Sequence, residues 1–72
     1  EDIIDMKKIR LTLKEAMEKR GVTRYKLAKD TGLQYQIVDN YYKNKVVRYD
    51  SETLLRICIA LDCGIAEIIC VE

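Results

Sequence analysis

The chain predicts an all-α fold, a compact domain of four to five short helices. Three observations carry this. None of the 72 residues is proline, and no Asn-Gly or Asp-Gly hairpin signal occurs. Apolar residues recur at helical spacing between capping residues and glycines. Apolar residues make up 49% and charged residues 35%, the balance of a globular rather than a disordered chain. A domain of this length buries only about 60% of the surface its unfolded chain exposes, so self-association would help it.

Residues 1–8 read as an N-terminal extension and residues 9–72 as one domain. Lys7 to Leu11 could be extended, since Ile9 and Leu11 alternate with charged residues. The first helix opens on a capping box, Thr12-Leu13-Lys14-Glu15, in which hydroxyl and carboxylate would satisfy each other's backbone N–H groups. Leu13, Ala16 and Met17 define its buried face. Lys19 and Arg20 suit the negative end of the helix dipole, and Gly21 stops it. Thr23 caps a second helix, with Val22 and Leu27 as a hydrophobic staple, and Gly32 ends it.

A third helix runs from about Gln34 to Lys43, and a polar connection follows to Tyr49. Asp50 or Ser51 caps a fourth helix to Leu61, which Gly64 is expected to terminate. Ile65 to Val71 could form one helical turn and a short strand, and the termini could pair as two strands. In the middle of the chain Leu27, Leu33, Val38 and Tyr41 would face inward. Tyr35, Gln36 and Asn40 would remain on the outer face of the third helix, the arrangement of a helix-turn-helix DNA reader.

The charge distribution agrees. Net charge is only +1, but residues 23–48 hold six bases and two acids, whereas residues 49–72 hold one base and five acids. The bases Arg24, Lys26, Lys43, Lys45 and Arg48 cluster around the two-helix unit, as a phosphate footprint requires. Lys26 and Lys29 flank opposite sides of the second helix, so at most one of them is expected at DNA.

The spacing Ala28-x-x-x-Gly32-x-x-x-x-x-Val38, with Leu27 before it and Tyr41 after it, resembles the Cro/repressor-type (XRE-like) helix-turn-helix family. The likeness spans residues 9–69, because Thr53-Leu54, Ile57-Cys58 and Ala60-Leu61-Asp62-Cys63 look like the family's fourth helix. It implies a lambda-repressor-like DNA-binding domain. Arg24 stands where the second helix usually starts with a glutamine that meets a phosphate or the first reading residue. Gln34 stands where serine or threonine often caps the recognition helix. Tyr35, Gln36 and Asn40 match base-facing positions, with Ile37 at the groove edge. Lys43, Asn44 and Lys45 match the loop that closes on phosphates, and the phosphate set is completed by Lys26, Gln34 and Arg48.

Asp39 departs from this pattern by placing an acid on the reading helix. It must lie along the groove wall, accept from a cytosine amino group, or pair with Lys43 at i+4. Arg24 in place of glutamine removes an acceptor, and Gln34 is a poor cap.

Five tyrosines could suggest a stacking platform for single strands. Tyr25, Tyr41 and Tyr49 are instead expected in helix packing, with Tyr42 left open. Cys58, Cys63 and Cys70 have neither zinc-ligand spacing nor a histidine beside them, so inert, buried thiols are expected, with no metal and no cofactor. The lack of histidine and of any nucleophile–base pair argues against an enzyme. The first residues are acidic, and the most apolar stretch, Leu54 to Val71, is interrupted by charge and short of the roughly 20 residues of a membrane span. A cytoplasmic protein with no membrane partner is therefore expected.

The fourth helix carries Leu54, Ile57, Cys58 and Leu61 for the core, and also Leu55 and Ile59 on another face. This second stripe, extended by Cys63 or by Ile68 and Ile69, reads either as a homodimer surface or as a wider core covered by Ile3, Ile4 and Met6. The combined expectation is a sequence-specific regulator of transcription on double-stranded DNA, a repressor. The alternative is an antitoxin-like protein-interaction module on the same fold.

Overall fold

The computed structural model describes residues 9–71. Strand β1 (Ile9–Leu11) leads into helices α1 (Leu13–Arg20), α2 (Arg24–Thr31), α3 (Tyr35–Tyr42) and α4 (Ser51–Leu61). A 3₁₀ turn (Ile65–Glu67) and strand β2 (Ile69–Val71) complete the order. The two strands pair antiparallel, with Ile9 opposite Val71 and Leu11 opposite Ile69. The four helices and the terminal ribbon agree with the all-α expectation and with the optional strand pair.

The expected capping box does not form. The Thr12 side chain accepts no bond from the start of α1, and its hydroxyl donates instead to the Glu67 carbonyl at 2.9 Å. Its backbone N–H donates to the Ile68 carbonyl, also at 2.9 Å. Thr12 thus continues the β1–β2 ladder, and a tertiary pairing takes the groups that a local cap would have used. Glu15 turns to Arg10, 3.8 Å away.

The other helix ends follow local chemistry. Gly21 and Gly32 both take the left-handed conformation, at φ 67° and 75°. The Thr23 hydroxyl accepts from Lys26 N at 3.1 Å, and Asp50 Oδ2 accepts from Thr53 N at 2.9 Å. One stop is misplaced in the sequence reading. α4 ends at Asp62, left-handed at φ 54°, and Gly64 instead precedes the 3₁₀ turn in extended backbone. Aspartate tolerates the left-handed region better than most residues. Cys63 N donates to Cys58 O and Asp62 N to Ile59 O, the paired bonds of a Schellman ending.

Among the described residues the core comprises Leu11 and Ile68 from the terminal ribbon, Leu13, Ala16 and Met17 from α1, Leu27 and Ala28 from α2, Val38 and Tyr41 from α3, and Ile57 and Leu61 from α4. Each fully buried large side chain contributes about 1.5–3 kcal/mol of transfer free energy. Ile68 is completely buried, and Cys63 and Ile69 pack half-buried against the core. These three therefore do not extend the outer stripe of α4. Leu55 and Ile59 do remain outside, 58% and 69% exposed. A covering role for Ile3, Ile4 and Met6 lies outside the described residues.

Two arginines, Arg20 on α1 and Arg56 on α4, tie helices together through polar bonds. Arg20 donates from Nε to the Leu61 carbonyl at 3.0 Å and from Nη2 to Glu67 Oε1 at 2.8 Å, joining the end of α1 to the end of α4 and the 3₁₀ turn. Arg56 on α4 donates to the Thr31 carbonyl at 3.2 Å, satisfying the C-terminus of α2. The Thr31 hydroxyl, itself bonded to Leu27 O at 2.7 Å, accepts from Leu33 N at 3.3 Å and so shapes the turn into α3.

Candidate nucleic-acid interface

The buried stripe of α3 is Val38, Asp39 and Tyr41, which leaves Tyr35 and Gln36 exposed and Asn40 half-buried. Gln36 and Asn40 lie one turn apart, and Gln36 Nε2 donates to Asn40 Oδ1 at 3.0 Å. Two carboxamides are thus presented as a coupled pair on the outer face. Ile37 is half-buried against the core, so its side chain is shared between packing and the rim of this face. Gln34 is exposed at the N-cap of α3 and makes no side-chain cap bond, as its poor capping chemistry implies.

Asp39 lies beneath this face with its side chain 11% exposed. It pairs with Lys43 at i+4, Nζ to Oδ2 being 3.1 Å, which is one of its three expected arrangements. It also accepts a hydrogen bond from Arg24 Nη1 on Oδ1. The Lys43 bond and then the Arg24 bond hold its carboxyl below the usual carboxylate range, against the opposing effect of burial. The Arg24 guanidinium lies 4.5 Å from the ring centroid of Tyr42 and 6.0 Å from that of Tyr35.

Tyr25 is 79% exposed, contrary to its expected place in helix packing. The buried residues of α2 are Leu27, Ala28 and Thr31, and Tyr25 falls about 200° of helical rotation away from Leu27. Its ring meets Tyr35 edge-to-face, with centroids 5.9 Å apart. Tyr41 and Tyr49 do pack as expected, edge-to-face at 6.3 Å, and the Tyr41 hydroxyl accepts from Asp50 N at 3.1 Å. Tyr42 is half-buried under Arg24.

After α3 the chain turns sharply. Asn44 is left-handed at φ 59°, and its Oδ1 accepts from Leu11 N at 3.0 Å. Lys45 N donates to Asn40 O at 2.9 Å. The loop is thereby fixed against both β1 and the end of α3, with the side chains of Lys45 and Arg48 exposed. Lys26 is exposed on α2 and pairs with Asp30 at 3.2 Å. The structure therefore gathers Arg24, Tyr35, Asp39 and Lys43 into one cluster beside the Gln36–Asn40 pair, with Lys45 and Arg48 on the loop that follows.

Sequence reasoning missed the Arg24–Asp39 bond and the exposed Tyr25. Helical phase could have found Tyr25, because it lies almost opposite Leu27, the residue of α2 expected to face inward. The Arg24–Asp39 bond joins two helices, and only opposite charge hinted at it. Cys58, Cys63 and Cys70 are free, half-buried thiols, and burial pushes the Cys58 thiol up.

Among the described residues no helix is long and apolar enough to cross a membrane. No curated protein and no solved structure matches the chain. One family model does match, over residues 12–72, which takes in every helix, the connecting turns and β2. The chain belongs to the family of Cro/C1-type helix-turn-helix DNA-binding domains.

Proposed function

We propose that this protein is a sequence-specific regulator of transcription that binds double-stranded DNA as a homodimer and acts as a repressor. Helix α3 enters the major groove, α2 braces it across the backbone, and the loop after α3 lies on phosphates. The observation that supports this most directly is the Gln36–Asn40 pair on the exposed face of α3, followed by the exposed cations Lys45 and Arg48. Carboxamides can bond the adenine edge in bidentate fashion, and lysine and arginine neutralise phosphate without regard to sequence. Tyr35 supplies a ring that can contact a thymine methyl, and its hydroxyl can meet a phosphate.

The exposed Leu55 and Ile59 on α4 supply the dimer surface, and a symmetric dimer reads two half-sites about one helical turn (~34 Å) apart. Repression then follows from occupancy of a promoter. Selection of bound duplexes from a random pool tests DNA binding, half-site spacing and base preference together. A dimer neutralising about eight phosphates gives a log K versus log salt slope of roughly −7. A slope near zero, or no duplex bound at low salt, overturns this function. A stable hetero-complex insensitive to Lys45→Ala would instead support the antitoxin-like reading, in which the acidic C-terminal half docks on a basic protein.

A further inference from the structure

Both oxygens of the Asp39 carboxylate are engaged, Oδ1 by Arg24 and Oδ2 by Lys43. The acid is 11% exposed, whereas the side chains of its partners are 34% and 48% exposed. The carboxylate therefore lies below the reading face, and two cations that reach the surface are tethered to it. Arg24 is held further by the Tyr42 ring. We propose that Asp39 is a specificity-determining residue, which positions Arg24 and Lys43 and withholds them from indiscriminate phosphate binding. This rests on the DNA-binding function proposed above.

The physical reason lies in the difference between a tethered and a loose cation. A lysine or arginine on a flexible stem follows any phosphate, and the resulting counterion release strengthens binding to every sequence alike. A cation already bonded to a carboxylate gains less from a phosphate, because it must loosen one partner to meet another. On a matched site this cost is offset by contacts from Gln36, Asn40 and Tyr35, and on a mismatched site it is not. Discrimination thus includes a cost on the wrong sequence as well as contacts to the right one. The same carboxylate joins the first residue of α2 to α3 and its C-cap, so it also fixes the angle at which the reading residues are presented.

The experiment compares wild-type protein, Asp39→Asn, Lys43→Gln and Lys45→Ala on the duplex recovered by selection and on a scrambled duplex of the same composition. Binding is titrated across sodium chloride concentration, and folding of each variant is checked by its thermal melt. Asp39→Asn keeps the shape of the side chain and removes its charge. It is expected to bind the scrambled duplex about tenfold more tightly, with a salt slope steeper by roughly one to two units per protomer, as the released cations reach phosphates. Its preference for the selected duplex should fall by about tenfold or more. Lys43→Gln is expected to lose preference with little change in slope, whereas Lys45→Ala loses about one unit of slope and keeps its preference.

An Asp39→Asn protein with wild-type slope and preference overturns the proposal. So does a Lys43→Gln protein that loses as much slope as Lys45→Ala, a result that stands even if Asp39→Asn does not fold. A wild-type protein that binds neither duplex removes the DNA-binding function itself, and the wild-type arm alone identifies that failure.

Discussion

The Asn44 side-chain oxygen accepts the backbone N–H of Leu11 at 3.0 Å, and so ties the loop after α3 to strand β1. The side-chain oxygen of Asn44 thus serves the fold. The bond fixes a left-handed turn at φ 59° from which Lys45 is presented. Asn44→Gly keeps the backbone conformation and loses the bond, at about 1 kcal/mol. Asn44→Ala also strains the left-handed backbone, and should cost roughly 1 kcal/mol more. Urea unfolding midpoints of the two variants check the order: the alanine protein should be the less stable.

Reading and anchoring should separate on the Gln36–Asn40 face. Gln36→Ala or Asn40→Ala should relax sequence preference by about 1–3 kcal/mol at the affected position. Because the two side chains bond each other, the double variant should cost less than the sum of the singles. Lys45→Ala should weaken all duplexes alike. Identical behaviour of both classes, measured on matched and scrambled duplexes, would show that these carboxamides do not read bases.

Leu55→Glu combined with Ile59→Glu should give a folded monomer in analytical ultracentrifugation, since both side chains lie outside the core of this protomer. The thermal melt of the variant should stay close to that of the isolated wild-type fold at low concentration. A monomeric wild-type protein at tens of micromolar would remove the dimer surface from the proposed function.

Acid should destabilise the domain in a definite window. Bonds from Lys43 and Arg24 hold the Asp39 carboxyl below its ordinary range, and the Thr53 N–H and hydroxyl do the same for Asp50. A carboxyl whose folded pKa lies below its unfolded value, about 3.9 for aspartate, stabilises the fold above that value. The contribution is lost as pH falls through the folded pKa. Melting temperature should therefore stay level from neutral pH down to about 5 and then drop. Asp39→Asn and Asp50→Asn should each melt lower at neutral pH and show a shallower acid decline. A variant that retains the full acid decline would show that its carboxylate is not linked to folding.

Most helix limits set by local chemistry proved legible. Thr23, Gly21, Gly32 and Asp50 act within one turn of their own position, and each does what its residue type suggests. The reading failed where a partner distant in the chain competes. Thr12 looked like a cap and became a rung of the terminal ribbon, because Glu67 and Ile68 offer carbonyls that no local pattern reveals. Gly64 is the local exception: it looks like a stop, but Asp62 ends the helix two residues earlier in a conformation that aspartate tolerates.

By itself the sequence determined the order of the helices, the inward set Leu27, Leu33, Val38 and Tyr41, with Leu33 only half-buried, and the outer face of Tyr35, Gln36 and the half-buried Asn40. Periodicity and capping act over a few residues, and a single chain displays them directly. Only the tertiary structure decided that Asp39 bonds Arg24 and that the ring of Tyr25 meets Tyr35. Asp39 is bonded to a residue on another helix, and the exposure of Tyr25 beside Tyr35 depends on how α2 is rotated against the core. Both follow from packing between helices, where burial of Leu27, Val38 and Ile57 sets the angle and the polar side chains settle around it.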